Sequence, residues 1–186
     1  SVGIAMFNHV YKDKKVLVTG HTGFKGAWLT SWLLKLGANV VGISKDIPTN
    51  PSMFEKLELE AKIKHYVEDI RDLSKMTEVI SNEKPDFLFH LAAQPIVSNS
   101  YSDPIETISS NVMGTANILE ALKVSNHKCT AIIITSDKAY DNVEQVWGYK
   151  EDDKMGGKDI YSGSKGAAEL IIKSYYRSFF KKEDCN

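Results

Sequence analysis

Tyr161 and Lys165 stand four residues apart in the run YSGSK. On a helix that spacing puts both side chains on one face. An ammonium beside a phenol favours the phenolate, and a tyrosine in that setting can take or give a proton near neutral pH. The same spacing also occurs on plain exposed helix surface. Position adds to it. A β-branched run, CTAIIITS, ends upstream at Thr135 and Ser136, whose hydroxyls could hold a substrate hydroxyl, and the ionisable pair Asp137 and Lys138 follows at once.

A second set of residues lies near the start of the chain. TGHTGFKG carries Gly20, Gly23 and Gly26 directly after the apolar run Val16 to Val18. Gly20 suits a tight turn, Gly23 leaves room for a pyrophosphate against bare backbone, and Gly26 lets a helix pack close to a sheet. Thr22, Phe24 and Lys25 complete the loop. The free N–H groups of the following helix would then meet the phosphates. The spacing is GxxGxxG, and Lys25-Gly26 does not match the Gly-Lys-Ser/Thr of nucleoside triphosphatases. Alone, the triplet reads equally as a tight turn; between a strand and a helix it reads as a dinucleotide cradle. NAD usually calls for an acid at the end of the second strand. That place holds Ser44 and Lys45, with Asp46 next. Lys45 reads two ways, as a solvated lysine or as a partner for the extra phosphate of NADP. Asp69 and Ile70 follow the third strand, either to bracket an adenine ring or to turn the chain into a helix. Leu91, Ala92 and Ala93 end the fourth, and Gln94 and Pro95 follow it near where a nicotinamide ribose would lie.

Alternating elements must position these groups. KVLVTG, NVVGIS, KIKHYVED, PDFLFHLAA and CTAIIITS read as strands, the third alternating Ile63, His65, Val67 and the fifth as apolar as a central parallel strand. GAWLTSWLLKLG reads as a helix apolar around most of its circumference, hence well buried, with Gly37 at its C-terminal cap. PSMFEKLEL reads as a short helix with Pro51 in its first turn, and DLSKMTEVISNE as one capped by Asp72. From Pro104 to Val124, Ile105, Ile108, Val112, Ala116, Leu119 and Leu122 recur at helical steps, predicting one long amphipathic helix. A polar loop spans Asp137 to Lys158, and a last helix runs from about Ile160 to Phe180. The alternation predicts an α/β fold: a doubly wound parallel sheet with helices on both faces, whose ligand lies beyond the carboxyl ends of the strands. His65 and His90 fall within strands and read as satisfied core or edge residues. Tyr140 and the stretch Trp147 to Tyr149 either line a pocket or pack their loop. Tyr175, Tyr176, Phe179 and Phe180 read as core or interface.

Bulk properties exclude several classes. A net charge of −1 leaves no electrostatic footprint for nucleic acid or an acidic membrane surface. No apolar run approaches the roughly 20 residues of a membrane-spanning helix. Cys129 and Cys185 have no metal-ligand spacing and read as free thiols of a reducing, cytoplasmic compartment. No metal site is expected. SVGIAMF lacks the basic segment of a signal peptide and reads as a tag remnant or a frayed end before Met6.

Taken in order, TGxxGxxG, HLAAQ, NVMGT, TSD and YxxxK resemble the extended short-chain dehydrogenase/reductase family, across nearly the whole chain. The resemblance implies a Rossmann-type fold holding NAD, or NADP. It implies Tyr161 as catalytic base, Lys165 as its partner, Ser136 as the hydroxyl that holds substrate, and Asn111 in a supporting role. Asp137-Lys138 stands where epimerases of the family carry small apolar residues, and so resembles the 4,6-dehydratase branch. The Asp-Glu of the dTDP-glucose enzymes is absent. TSDKAYDN, WGYKEDDKMGG and TGHTGFKGAWL resemble the enzymes that act on CDP-glucose. The chemistry implied is a transient oxidation at carbon 4 of the sugar, loss of water across carbons 5 and 6, and return of hydride to carbon 6. Asp137 is then the candidate acid for the leaving hydroxyl. Lys138 sits at the base's place, where a lysine serves only if burial or a like charge disfavours its ammonium; otherwise it is a salt-bridge or electrostatic partner. The rival readings are a sugar-nucleotide 4-epimerase or reductase, and a dinucleotide-binding module without chemistry. The resemblance also implies a homodimer paired through the long and last helices as a four-helix bundle. It implies that residues 1–186 are the dinucleotide half, with the substrate domain in chain beyond Asn186, so that this piece alone binds dinucleotide weakly and turns nothing over.

Overall fold

The computed structural model describes residues 6–181; Cys185 lies outside them. Five strands form one wholly parallel sheet: β1 Lys15–Thr19, β2 Asn39–Ser44, β3 Lys64–Val67, β4 Phe87–His90 and β5 Thr130–Ile133. Their order is β3-β2-β1-β4-β5. The chain winds outward from β1 through β2 to β3, then crosses back to β4 beside β1. The winding reverses between β1 and β4, the switch point at whose carboxyl edge sheets of this kind hold their ligands in a crevice.

The helices are α1 Phe24–Lys35, α2 Met53–Lys56, α3 Leu73–Glu83, α4 Val97–Ser102, α5 Pro104–Ile108, α6 Gly114–Ser125 and α7 Ile160–Tyr175. One face of the sheet, Leu17, Val41, Ile43 and Leu88, packs against Met76, Val79 and Ile80 of α3 and Ile118, Ala121 and Leu122 of α6. The opposite face, Val16, Val18 and Val40, packs against Leu33 of α1. Alternate residues of each inner strand thus face alternate layers, as a parallel sheet covered on both sides requires.

Several local expectations are corrected. Helix α1 buries Gly26, Ala27, Thr30 and Leu33 but leaves Phe24, Trp28 and Trp32 exposed, because a single layer packs on it from one side only. Pro51 precedes the first turn of α2; Ser52 is the cap, accepting from the Glu55 amide at 3.1 Å. The third strand is an edge, so Val67 faces solvent while Tyr66 packs on the core. β5 is also an edge strand among the described residues and is half exposed, not central. The long helix is continuous in backbone from Pro104 to Ser125. A π-helical turn, Ser109–Met113, interrupts its α geometry between α5 and α6. The separate helix α4 was not foreseen.

Asp72 caps α3 through the Lys75 amide at 3.0 Å, and Gly37 takes a left-handed φ of 82° after α1, both as expected. Replacing Ile80, fully buried between α3 and the sheet, by alanine is expected to cost about 2–5 kcal/mol of stability. The same change at exposed Val146 should cost within about 0.5 kcal/mol. Urea denaturation of the two variants checks the contrast.

Candidate functional site

Parallel pairing puts every strand's carboxyl end on one edge. That edge gathers the glycine loop after β1, Ser44 to Asp46 after β2, Asp69 and Ile70 after β3, Leu91 to Gln94 after β4, and Thr135 to Lys138 after β5.

The glycine loop is a close-packed joint. Gly20 has a φ of 74°, and a Cβ there would lie 2.7 Å from the amide nitrogen of Ala92. Only glycine accommodates both constraints. A Cβ on Gly26 would lie 2.0 Å from the Gly20 carbonyl oxygen. Gly26 therefore lets α1 close on its own loop, where the spacing alone had suggested contact with the sheet. Gly23 caps α1 without any side-chain hydrogen bond, and the first turn holds no acidic residue. The orphan N–H groups of that turn, with the partial positive charge of the helix, are the donors an anion needs. The Thr22 hydroxyl is not among them: it donates to the Asp46 carbonyl at 2.7 Å and ties the loop to the end of β2.

His21, inside this loop, was missed by the motif reading. It is fully buried over Gly42 of β2, where a Cβ would strike its ring. Its Nδ1 lies 3.1 Å from Ser44 Oγ and its Nε2 2.8 Å from His65 Nδ1. Burial pushes it down to about 4, assisted by the charge of His65. The pairing of a histidine in the loop with a glycine in the next strand was the available signal. His90 is a satisfied core residue as expected, bonded to Thr19 Oγ1 at 2.7 Å and Thr115 Oγ1 at 3.2 Å. Burial pushes it down to about 3, with the charge of Lys165 adding to the effect.

Lys45 is exposed, as a solvated lysine would be, but it is not free. Its Nζ lies 2.9 Å from Glu106 Oε1, and Arg71 pairs with the second oxygen of Glu106 and with the carboxylate of Asp69. Asp69 falls below the usual carboxylate range, chiefly through hydrogen bonding to Arg71. A Cβ on Gly114 would lie 2.4 Å from Ile70 Cδ1, so α6 sits directly against that side chain.

Gln94 does not reach into the crevice. Its side chain bonds Thr107 Oγ1 at 2.8 Å and both the amide and carbonyl of Ile96. Asn111 lies in the π-turn, a conformation frequent at functional sites. It accepts from the Gln94 amide at 2.8 Å, donates to the Gln94 carbonyl at 3.2 Å, and donates to Ser164 Oγ at 2.9 Å. Ser164 donates in turn to the Tyr161 carbonyl at 2.7 Å. One buried amide therefore joins the loop after β4 to the first turn of α7. Ser164 was not singled out from sequence.

On α7, Tyr161 and Lys165 share one face as their spacing required. The Lys165 ammonium lies 6.0 Å from the centroid of the Tyr161 ring. Tyr161 is 9% and Lys165 7% exposed. Lys165 makes no ion pair or side-chain hydrogen bond among the described residues. Burial pulls it below the ordinary lysine value, with Glu169 opposing. An ammonium held so against its desolvation cost marks a functional position more often than a structural one.

The turn after β5 packs on the same helix. A Cβ on Gly166 would lie 3.3 Å from the Ala139 carbonyl. Ser136 caps this turn, accepting from the Lys138 amide at 3.2 Å and donating to Asp137 Oδ1 at 3.1 Å. Thr135 instead donates to Glu169, which leaves Ser136 as the hydroxyl beside the crevice. Asp137 and Lys138 are exposed and form no salt bridge with each other. Tyr140 and Tyr149 stack with centroids 5.2 Å apart and pack their loop, while Trp147 is exposed. Tyr175 donates to Glu120 Oε2 at 3.0 Å, and Tyr176, Phe179 and Phe180 lie on the surface, not in the core. Cys129 is a free, half-buried thiol pushed up to about 11 by burial. No helix among the described residues is long and apolar enough to cross a membrane.

Comparison with known proteins agrees with this architecture. The family model described as GDP-mannose 4,6 dehydratase matches residues 17–181. CDP-glucose 4,6-dehydratase of Salmonella typhimurium is 51% identical over 170 residues, covering 91% of this chain and 47% of that protein. dTDP-D-glucose 4,6-dehydratase of Dictyostelium discoideum is 31% identical over 180 residues, covering 89% of this chain and 41% of that protein. Among solved structures, UDP-glucuronic acid 4-epimerase from Bacillus cereus, in complex with UDP-glucuronic acid and NAD, superposes with a TM-score of 0.77. It is 30% identical and covers 89% of this chain and 53% of its own. The chain spans about half the length of the curated relatives it matches.

The two buried imidazoles set a pH dependence. Both are held neutral in the fold, so between about pH 6.5 and 4 the unfolded chain binds more protons than the folded one. Their contribution to stability is complete above about pH 6.5 and is lost as pH falls toward 4. Urea unfolding at pH 7 and pH 5 is expected to show lower stability at pH 5, with a shallower fall in His90→Gln.

Proposed function

Because the chain belongs to the GDP-mannose 4,6 dehydratase family, matched from residue 17 to 181, we propose that it is the dinucleotide-binding half of an NAD-dependent sugar-nucleotide 4,6-dehydratase acting on CDP-glucose. One observation carries the chemical part: a buried ammonium, Lys165, without an ion-pair partner among the described residues, set 6.0 Å from the ring of Tyr161. The choice of CDP-glucose rests on the likeness to the Salmonella enzyme.

The residues present fit NAD. The uncapped first turn of α1 and the bare backbone of Gly20 and Gly23 suit a diphosphate, while Asp69 and Ile70 suit its adenosine end. Leu91, Ala92 and Ala93 form the opposite wall of the crevice. What NAD supplies when bound is a place to hold one hydride between oxidation and re-reduction.

The protein's own groups handle protons. Ser136 holds the 4-hydroxyl of the sugar and Tyr161 removes its proton. Lys165 stabilises the phenolate. The ketone formed at carbon 4 acidifies the proton on carbon 5. Asp137 protonates the hydroxyl that leaves carbon 6, and Lys138, on the same turn, faces the carbon 5 proton as base or as electrostatic anchor. Carbon 5 takes a proton back as carbon 6 is reduced, the ketone at carbon 4 stays in the product, and the proton held by Tyr161 leaves to solvent. An epimerase needs no such acid, and the exposed carboxylate of Asp137, hydrogen-bonded by Ser136 and without an ion pair among the described residues, favours the dehydratase reading.

On this reading the sugar-nucleotide domain belongs to sequence beyond the chain, and the whole enzyme is a cytoplasmic homodimer. Exposed Ile105 and Met113 along the long helix and Leu170 on α7 suit a four-helix interface.

The test is incubation of the full-length protein with CDP-, dTDP-, UDP- and GDP-hexoses. A 4-keto-6-deoxy product, read by its absorbance in alkali and by mass, is expected from CDP-glucose; a 4-epimer in its place overturns the reading. Tyr161→Phe is expected to lower turnover by about 10²–10⁴-fold. Asp137→Asn is expected to block dehydration while reduced nicotinamide still accumulates, read by its near-ultraviolet absorbance.

A further inference from the structure

The NAD fingerprint places an acid at the end of the second strand, where it takes the ribose hydroxyls. This chain places Ser44 and Lys45 there. By that pattern alone a lysine would invite the 2′-phosphate of NADP. In the fold, a carboxylate comes to the same spot from a distant element. Glu106 of α5 lies 2.9 Å, Oε1 to Nζ, from Lys45 at the tip of β2. Its other oxygen meets Arg71, past the tip of β3. Arg71 is held by Asp69 as well, with Nε 3.0 Å from both carboxylate oxygens.

The arrangement is positioned, not casual. The Glu106 amide donates to Asp103 Oδ1 at 2.9 Å, so the residue is fixed in the first turn of α5. Ser110 donates to Glu106 Oε1 at 3.2 Å from one turn further along. The Asn117 side chain holds the Ile70 and Arg71 carbonyls at 3.0 and 2.8 Å. Strands β1, β2 and β3 are adjacent, and α5 follows β4 on the far side of β1. The Lys45–Glu106 pair therefore spans the adenosine side of the crevice.

We propose that Glu106 is the specificity-determining residue that makes this site take NAD and refuse NADP. It stands in space where the fingerprint acid stands in sequence. It does two things there. It occupies Lys45 and Arg71, the two cations a 2′-phosphate would need. It also sets a second negative charge beside Asp69, so that a phosphate of charge about −2 meets two carboxylates. A ribose with free hydroxyls brings donors and no charge, and a carboxylate accepts from them. This inference rests on the proposed dinucleotide reading and goes beyond it, since neither the glycine loop nor the family motifs include Glu106.

The experiment is calorimetric titration of the full-length protein and its Glu106→Gln variant with NAD and with NADP, at low and at high salt. The parent is expected to prefer NAD. Glu106→Gln is expected to tighten NADP by roughly tenfold or more, the scale of a charge-assisted contact to phosphate, and to change NAD by less. The gain should shrink at high salt, because the cations involved are exposed. Adding Lys45→Ala to Glu106→Gln should abolish it, a reversal that general loosening of the fold would not produce. A parent that prefers NADP, or a variant whose NADP-to-NAD ratio is unchanged, overturns the inference while leaving the dinucleotide site standing. A parent that binds neither dinucleotide overturns both. Should Glu106→Gln fail to fold, Lys45→Glu decides: it is expected to widen the preference for NAD, and an unchanged ratio overturns the inference.

Discussion

Parallel pairing of β1 with β4 is the constraint on which the rest depends. Parallel strands cannot be joined by tight turns, so each is followed by a crossover, and each crossover leaves the sheet at the same edge. Pairing in register from Val16 with Phe87 to Thr19 with His90 brings the Gly20 loop against the Ala92 backbone. The approach is so close that no side chain fits at Gly20. A chain with any other residue there would have to separate the two loops, and the crevice would lose its floor.

The Tyr161 helix is not part of the sheet and must be held to the crevice by other means. Asn111 does this from the π-turn. One amide engages both backbone groups of Gln94 and the hydroxyl of Ser164, whose own proton goes to the Tyr161 carbonyl. The extra residue of a π-turn shifts the side chain relative to a regular helix. The turn after β5 meets the same helix at Gly166, where the absence of a side chain admits the Ala139 carbonyl. The serine, the tyrosine and the lysine thus come from two elements locked together at glycine and asparagine, with no contact needed among the three.

Electrostatics divides the site into two regions. Beyond the tips of β2 and β3, Asp69, Arg71, Glu106 and Lys45 form a balanced, partly exposed network. At the other end Lys165 is buried without an ion pair among the described residues, only partly offset by Glu169, and the neutral His90 feels its charge. The first arrangement favours a fixed geometry. The second holds an ammonium against its desolvation cost beside the ring of Tyr161.

Much of this was legible in the residues alone. Strand and helix periods, the glycine triplet and the four-residue step from Tyr161 to Lys165 are local properties, and the five strands with their main helices lie where those properties put them. What could not be read locally depended on which surfaces had neighbours. The aromatic residues of α1 and the β-branched run of β5 are apolar in either setting, and their exposure follows from layers packing on one side only. The π-turn, the burial of His21 over Gly42, and the reach of Glu106 to Lys45 join residues between 21 and 61 positions apart or break a regular helix. Hydrophobic period and motif spacing act over one or two turns of chain, so they determined the elements and the chemical types on offer. Only the folded sheet, by bringing separate strand tips to one edge, decided which of those groups meet.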